Sequence, residues 1–188
     1  MNVLYDHQIW LMQRFGGISR YFIELMKNSG GLFNYSVTGV YSSNEYLKDM
    51  GLHKDFPVSF NFKGRRRILK RLNEGESVKQ MNGDSVDILH PTYFSPYFNT
   101  SKKVVLTVYD MIYELFPEMM CDGEMINMRK ETVHKADKII AISECTKKDL
   151  LRIYPDISPE KVEVTYLGNS FPVSENSRKE NYILFTGN

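Results

Sequence analysis

Residues 102–143 constrain the fold most, because they hold two patterns of buried strands separated by a helix-length segment. Residues 104–108 are almost continuously apolar and β-branched, and residues 139–142 repeat that pattern. Such strands are buried on both faces, as in a parallel sheet that is covered by helices. Residues 122–136 are predicted to form the intervening helix. In an open α/β sheet, ligands bind beyond the carboxyl ends of the strands, so chemistry is expected there.

The rest of the chain extends the same alternation of strands and helices. Further strands are predicted at residues 2–5, 35–41, 86–89 and 162–167, and a further helix at 144–154. The first helix is predicted to begin at Ile18, after a polar and aromatic loop at residues 6–15. Its apolar residues recur at the spacing of one helical face. The pattern therefore predicts a Rossmann-like α/β fold, an open and mostly parallel sheet with helices on both faces.

Composition excludes several classes of protein. The 188 residues carry 24 basic and 23 acidic side chains, so bulk charge does not indicate a polyanionic partner. No apolar run approaches the roughly 18–20 residues that a membrane-spanning helix needs. The N-terminus lacks the pattern of a signal peptide. Cys121 and Cys145 lie far apart in the sequence, and we expect them to be reduced thiols of a cytoplasmic protein.

Four predicted strands are followed by polar or glycine residues, namely His90, Asp110, Ser143 and Gly168. In a parallel sheet these residues share one edge with the Gly16–Gly17 pair that follows the first strand, and they would line one cleft. Each also has a structural interpretation. His90 would bond a backbone carbonyl, Asp110 would hold the next loop, and Ser143 would cap a helix. No serine-hydrolase elbow and no metal-ligand motif is present.

The Gly16–Gly17 pair lies between a predicted strand and a predicted helix. Glycines there let the backbone approach an anion, and the helix N-terminus can hold a phosphate group. The pair is not a full dinucleotide fingerprint, and no Walker lysine follows it. Two interpretations stay open: a contact to phosphate or sugar, or a tight turn that requires positive φ.

A basic amphipathic helix is predicted over residues 63–72, ending at Asn73 and Gly75. Ile68, Leu69 and Leu72 share one face, and cations cover the rest. Three interpretations stay open: a solvated surface helix with an apolar underside, a helix that lies on an anionic membrane, or a nucleic-acid contact. The cations that would contact a membrane are Arg65, Arg66, Arg67, Lys70 and Arg71.

The composition changes near the end of the chain. Residues 169–181 are polar, with the composition of a solvated linker, and residues 182–188 have the pattern of a new buried strand. We therefore expect one domain at residues 1–168, a linker at 169–181, and the first strand of an absent second domain at 182–188.

The order of these segments resembles the N-terminal domain of a glycosyltransferase family 4 (group 1) enzyme of GT-B architecture. The matching segments are Gly16-Gly17-Ile18-Ser19-Arg20-Tyr21, Asp87-Ile88-Leu89-His90-Pro91, Thr107-Val108-Tyr109-Asp110, Phe116-Pro117-Glu118, Arg129, Ala136-Asp137-Lys138-Ile139-Ile140-Ala141-Ile142-Ser143-Glu144-Cys145-Thr146, Asp149-Leu150, Lys161-Val162-Glu163-Val164 and Leu167-Gly168. Residues 182–187 are similar to the strand that opens the family's C-terminal domain. The resemblance covers nearly the whole chain except residues 42–83.

The resemblance implies a retaining, metal-independent transfer of sugar from a nucleotide-sugar to a glycan or lipid-linked acceptor, in cell-surface polysaccharide synthesis. The nucleotide-sugar is a co-substrate, and no cofactor is implied. The N-terminal domain would hold the acceptor and the absent C-terminal domain the donor, so this chain alone would be inactive. The implied location is the cytoplasm, including the inner face of the membrane. The alternatives are a non-catalytic sugar- or nucleotide-binding module and a nucleotide-sugar epimerase.

The resemblance also implies roles for individual residues. Asp110 and Tyr109 would lie near the reacting sugar as catalytic residues. The substrate-binding residues would be Gly16, Gly17, His90, Tyr93, Arg129, Ser143 and Thr146. Many relatives carry histidine where this chain has Tyr109, and a tyrosine, with a pKa of about 10, is not a base near neutral pH. We therefore expect no general-base chemistry at position 109.

Overall fold

A computed structural model describes residues 1–38, 41–54, 65–81, 83–95, 100–120, 123–169 and 181. Six strands in these ranges form one sheet: β1 (Asn2–Tyr5), β2 (Asn34–Val37), β3 (Ile88–His90), β4 (Lys103–Val108), β5 (Lys138–Ala141) and β6 (Val162–Val164). Their order is β2-β1-β3-β4-β5-β6, and every neighbouring pair is parallel. The predicted α/β fold with a parallel sheet is therefore confirmed.

The helices of the described residues connect these strands. They are α1 (Gln8–Met12), α2 (Gly17–Lys27), α3 (Glu45–Asp49), α4 (Arg65–Met81), α5 (Ile112–Leu115), α6 (Pro117–Met120), α7 (Gly123–Lys135) and α8 (Glu144–Ile153), and a 3₁₀ turn (Pro159–Lys161) precedes β6. None of the helices in this part of the chain is long and apolar enough to cross a bilayer. The alternation of strand and helix places a loop at the carboxyl end of every strand.

Helices cover both faces of the sheet because successive side chains of a strand point to opposite faces. On one face, Val3 and Tyr5 pack with Phe22 of α2. On the other face, Leu4 belongs to a second cluster. That second cluster draws on α4, α7 and α8 through Met81, Val133 and Leu150, and on the central strands through Leu89, Leu106 and Ile139. Burial on both faces explains why the strands carry almost continuous apolar runs.

Two predicted boundaries are wrong for the same physical reason. The segment predicted as a loop at residues 6–15 contains α1, because Ile9 and Trp10 are fully buried against the sheet. The helix predicted to end at Asn73 continues to Met81 as α4. The buried amide of Asn73 exchanges two hydrogen bonds with the backbone of Tyr41, at 3.2 and 3.0 Å. Tertiary contacts thus override the weak helix propensity of asparagine.

Other differences are shorter strands. β2 ends at Val37 and β6 at Val164, whereas the sequence predicts strands to residues 41 and 167. The predicted linker at 169–181 lies outside the described residues except at its two ends, and the predicted strand at 182–188 lies wholly outside them. The predicted division into domains therefore stays a prediction.

Candidate functional site

Asp110 places a carboxylate beyond the carboxyl end of β4. Its Oδ1 accepts a hydrogen bond from the backbone N–H of Ile112 at 3.1 Å, at the start of α5. The side chain nevertheless remains 45% exposed. Asp110 therefore holds the following loop, as its structural interpretation predicts, and also presents a carboxylate to solvent at the sheet edge.

Arg129 is buried beneath Asp110. The sequence predicts it as a substrate-binding residue of an open cleft. Its side chain is 3% exposed, and it forms a two-pronged ion pair with Glu114, which is 4% exposed. The Nε–Oε1 and Nη2–Oε2 distances are 2.7 and 3.1 Å. The same Nη2 donates to the carbonyl oxygen of Asp110 at 2.6 Å and lies 3.7 Å from its carboxylate. The geometry makes Arg129 a residue that orients Asp110.

Aromatic rings and a further hydrogen bond enclose this ion pair. The guanidinium of Arg129 lies 4.2 Å from the centre of the Phe94 ring and 5.2 Å from that of Tyr113. The hydroxyl of Tyr154 donates to Glu114 Oε1 at 3.2 Å. Sequence reasoning missed Glu114, although a carboxylate shortly after β4, in the segment that forms α5, was a signal for a buried partner of Arg129.

Tyr109 turns away from this carboxylate. Its ring packs edge-on against Tyr21 of α2 with 5.8 Å between ring centres. Its hydroxyl is buried and has no hydrogen-bond partner among the described residues. Burial raises its pKa well above the ordinary value. Tyr109 is thus neutral near pH 7, which agrees with the expectation that it is no general base.

His90 is an interior residue. It is 5% exposed, and its ring centre lies 5.5 Å from that of Tyr5 and 5.2 Å from that of Phe22. Its Nε2 is 2.9 Å from the hydroxyl of Thr107, where the sequence interpretation expected a backbone carbonyl. Desolvation by burial lowers the pKa of His90 to about 3, so the imidazole is neutral at physiological pH.

The Gly16–Gly17 pair begins α2, but the backbone of Gly16 is extended, with φ of 177°, and neither glycine lies in the left-handed region. The tight-turn interpretation is therefore wrong. A Cβ built on Gly16 would lie 2.2 Å from Oε1 of Gln13, whereas a Cβ on Gly17 would have no neighbour within 4 Å. That Oε1 accepts a hydrogen bond from the backbone N–H of Ser19 at 3.0 Å. Gly16 thus makes room for Gln13, which caps the helix from a position that sequence reasoning did not single out.

The start of α8 is capped as predicted. Ser143 Oγ accepts a hydrogen bond from the backbone N–H of Thr146 at 3.1 Å. The hydroxyl of Thr146 lies 3.0 Å from Ser143 Oγ and donates to the carbonyl oxygen of Tyr109 at 3.4 Å. These two side chains therefore fasten the N-terminus of α8 to the end of β4, one residue before Asp110.

In the sheet, β2 lies on one side of β1 and all later strands lie on the other, so the strand order reverses between β1 and β3. Polar groups of the chain itself occupy the position beyond these two strands. Asp6, fully buried, accepts hydrogen bonds from the backbone N–H of Thr92 at 2.8 Å and from Gln8 Nε2 at 2.7 Å. The hydroxyl of Thr92 also donates to the Asp6 carboxylate. Gln8 Nε2 reaches the carbonyl oxygen of Tyr93 as well, at 3.2 Å. Tyr93 itself is half-buried, and burial raises its pKa.

The candidate site is therefore narrower than the sequence predicts. The structure brings together the exposed carboxylate of Asp110, the ion pair of Arg129 and Glu114 beneath it, and the capped N-terminus of α8. His90 and the hydroxyl of Tyr109 lie in the interior beside α2. Within the described ranges, no group of acidic, histidine or cysteine side chains could hold a metal ion. An oriented carboxylate of this kind can accept hydrogen bonds from hydroxyl groups of a ligand.

The chain was compared with known proteins. No model of a protein family matches it, and a search of curated proteins finds no match.

Proposed function

We propose that this chain is the acceptor-side domain of a glycosyltransferase with GT-B architecture, in which Asp110 binds the hydroxyl groups of the acceptor near the reacting sugar. The proposal rests on the ordered sequence motifs and on one structural observation. Of the residues that the resemblance singles out, Asp110 combines an exposed carboxylate at the carboxyl edge of the sheet with buried residues that fix its backbone. The enzyme is retaining and metal-independent and uses a nucleotide-sugar as co-substrate.

In this proposal the residues around Asp110 position it. The buried guanidinium of Arg129 holds the carbonyl oxygen of Asp110, and Glu114 holds Arg129. A fixed acceptor hydroxyl reacts faster than a mobile one, because the loss of rotational and translational freedom has already occurred on binding. Thr146 joins the N-terminus of α8 to the same loop through the carbonyl oxygen of Tyr109. The amides at the start of α2, at Gly17 and Ile18, would face an anionic group of the donor.

The test is sugar transfer by the full reading frame that contains this chain. Release of nucleoside diphosphate from a panel of UDP-, GDP- and ADP-sugars is measured with native membranes as the source of acceptor. We expect Asp110→Asn to lower turnover at least tenfold with an unchanged circular dichroism spectrum, because the amide replaces half of the carboxylate's acceptor capacity with donors. Asp84→Asn is the matched control, since Asp84 is exposed in the turn before β3, at the opposite edge of the sheet.

Two outcomes would favour the alternatives. Saturable binding of a nucleotide-sugar by the 188-residue chain alone, measured by calorimetry, would favour a stand-alone binding module. Formation of an epimerised nucleotide-sugar without acceptor would favour an epimerase. Full turnover in Asp110→Asn would remove Asp110 from the site.

A further inference from the structure

Helix α4 buries two polar residues on the same side as Met81 and leaves an apolar pair exposed. Asn73 and Ser77 are buried, whereas Ile68 and Leu72 are each 43% exposed. A surface helix ordinarily buries its apolar stripe and exposes its polar side. Of the predicted apolar face, only Leu69 is half-buried. The segment is therefore a helix at the surface, as one of the interpretations expects, but the expectation that Ile68, Leu69 and Leu72 form its buried underside is wrong.

Hydrogen bonds fix this rotation of α4. The amide of Asn73 exchanges two bonds with the backbone of Tyr41. Ser77 Oγ lies 2.7 Å from His7 Nδ1, which follows β1, and also bonds the hydroxyl of Thr38, which follows β2. A rotation that buried Ile68 and Leu72 would break all of these bonds and leave buried polar groups without partners. The exposure of the apolar pair is thus built into the packing of α4.

Positive charge is concentrated on the same helix. The cations are Arg65, Arg66, Arg67, Lys70, Arg71 and Lys79, against the two carboxylates of Glu74 and Glu76. The helix therefore carries +4, whereas the whole chain carries only +1. Lys70 lies 3.7 Å from Glu74, and Lys54 lies 3.8 Å from Glu76, so both carboxylates face cations.

The cations lie next to the apolar pair. Residues 68, 72, 75 and 79 follow one line along the helix surface, because each is three or four residues, or about one turn, beyond the one before it. Lys79 therefore continues the line of Ile68 and Leu72, and Arg71 lies beside Ile68 at the i, i+3 position. The outward surface thus combines a short apolar ridge with positive charge.

We propose that the outward face of α4, defined by Arg67, Ile68, Arg71, Leu72 and Lys79, docks on an anionic lipid bilayer. The helix lies in the plane of the interface, Ile68 and Leu72 enter the boundary between headgroups and acyl chains, and the cations meet lipid phosphates. A bilayer binds both the apolar pair and the positive charge of this face, whereas a nucleic acid would bind the positive charge alone. The proposal goes beyond the proposed function, which concerns Asp110 at the sheet edge.

The test is cosedimentation of the 188-residue chain with vesicles of phosphatidylcholine that contain 0, 20 or 40% phosphatidylglycerol. We expect binding that rises with the anionic fraction and weakens between 50 and 500 mM salt, conditions chosen to span strong screening. Each cation near an anionic surface adds about a fivefold gain in affinity, so Arg67→Gln with Arg71→Gln should lower binding about 25-fold. Ile68→Ser with Leu72→Ser should lower it at least tenfold, because the apolar area no longer leaves water.

The matched control is Lys130→Gln with Lys148→Gln, which removes the same charge from exposed positions on α7 and α8. It should bind as the unaltered chain does, and all variants should keep its urea midpoint and circular dichroism spectrum. The absence of vesicle binding, or an equal loss in the control, would overturn the proposal. A combination of two results would also overturn it: vesicle binding that survives the two serine substitutions, and equally tight binding of a single-stranded oligonucleotide. That combination would assign the face to a polyanion.

Discussion

His90 should make the stability of this protein depend steeply on pH. Its imidazole is buried against Tyr5 and Phe22, and desolvation lowers its pKa to about 3 in the folded state. In the unfolded chain the pKa returns to about 6.5. Between these two values the unfolded state binds the extra proton, so stability falls as the pH falls. Above about pH 6.5 the ring is neutral in both states and costs no stability. As the pH falls from there toward 3, the loss of stability grows progressively.

The magnitude follows from the pKa difference. One pKa unit corresponds to about 1.4 kcal/mol, so His90 alone should lower the free energy of unfolding by about 1.4 kcal/mol at pH 5.5 and about 2.7 kcal/mol at pH 4.5. With a urea slope of about 2 kcal/mol per molar, the midpoint should fall by about 0.7 M for each pH unit in this window. His7 should add to the effect, because burial lowers its pKa too. The charges of Asp6 and Glu74 oppose this shift, and the charge of Lys70 adds to it.

Urea unfolding at pH 7.5, 5.5 and 4.5 provides the measurement, followed by the fluorescence of Trp10, which is the single tryptophan and is fully buried. His90→Gln cannot titrate in this range, so its stability should depend less on pH by the amounts given above. His7→Gln and the double variant separate the two histidines. Identical pH slopes in the chain with and without His90 would refute the reasoning. An NMR titration of the His90 ring with a midpoint above pH 5 would refute it as well, even if the variant does not fold.

Three further predictions follow from the packing and can be checked by urea unfolding. Arg129→Met should lower the free energy of unfolding by about 3–5 kcal/mol, because it leaves Glu114 buried and charged. Adding Glu114→Leu should restore part of the loss, and no recovery in the double variant would contradict an ion pair. Gly16→Ala should destabilise by about 1 kcal/mol through displacement of Gln13 from Ser19, whereas Gly17→Ala should stabilise by about 0.5 kcal/mol; equal effects would argue against the cap. Asp6→Asn should cost about 1–3 kcal/mol, because an amide nitrogen would face donors at Thr92; an unchanged midpoint would contradict the network.

The sequence predicts the sheet and its helices well where one physical signal dominates. The strands β4 and β5 are buried on both faces, so their side chains are apolar whichever way they point, and the pattern survives small errors of register. The cap of α8 by Ser143 is equally legible, because an N-cap is satisfied within its own turn. These features depend on residues that are close in sequence or on burial alone.

The candidate site is less legible for the opposite reason. The edge of the sheet follows from topology, but the direction of each side chain depends on partners far away in the sequence. His90 lies inward because Thr107 and Phe22 meet it there, and Arg129 is buried because Glu114 neutralises it. Neither partner is marked by a local motif. Asp110 alone keeps both the predicted position and an exposed functional group.

By itself, the sequence determined a parallel α/β sheet and the edge at which polar residues gather, because continuous apolar runs, helical periodicity and helix caps are local properties. Only the tertiary structure decided which polar groups are exposed and which way α4 is turned. Asn73 and Ser77 would appear solvent-facing by polarity, and Ile68 and Leu72 buried by hydrophobicity. Hydrogen bonds from Asn73 to Tyr41 and from Ser77 to His7 reverse that expectation, because buried polar groups must be paired and these partners come from other parts of the fold.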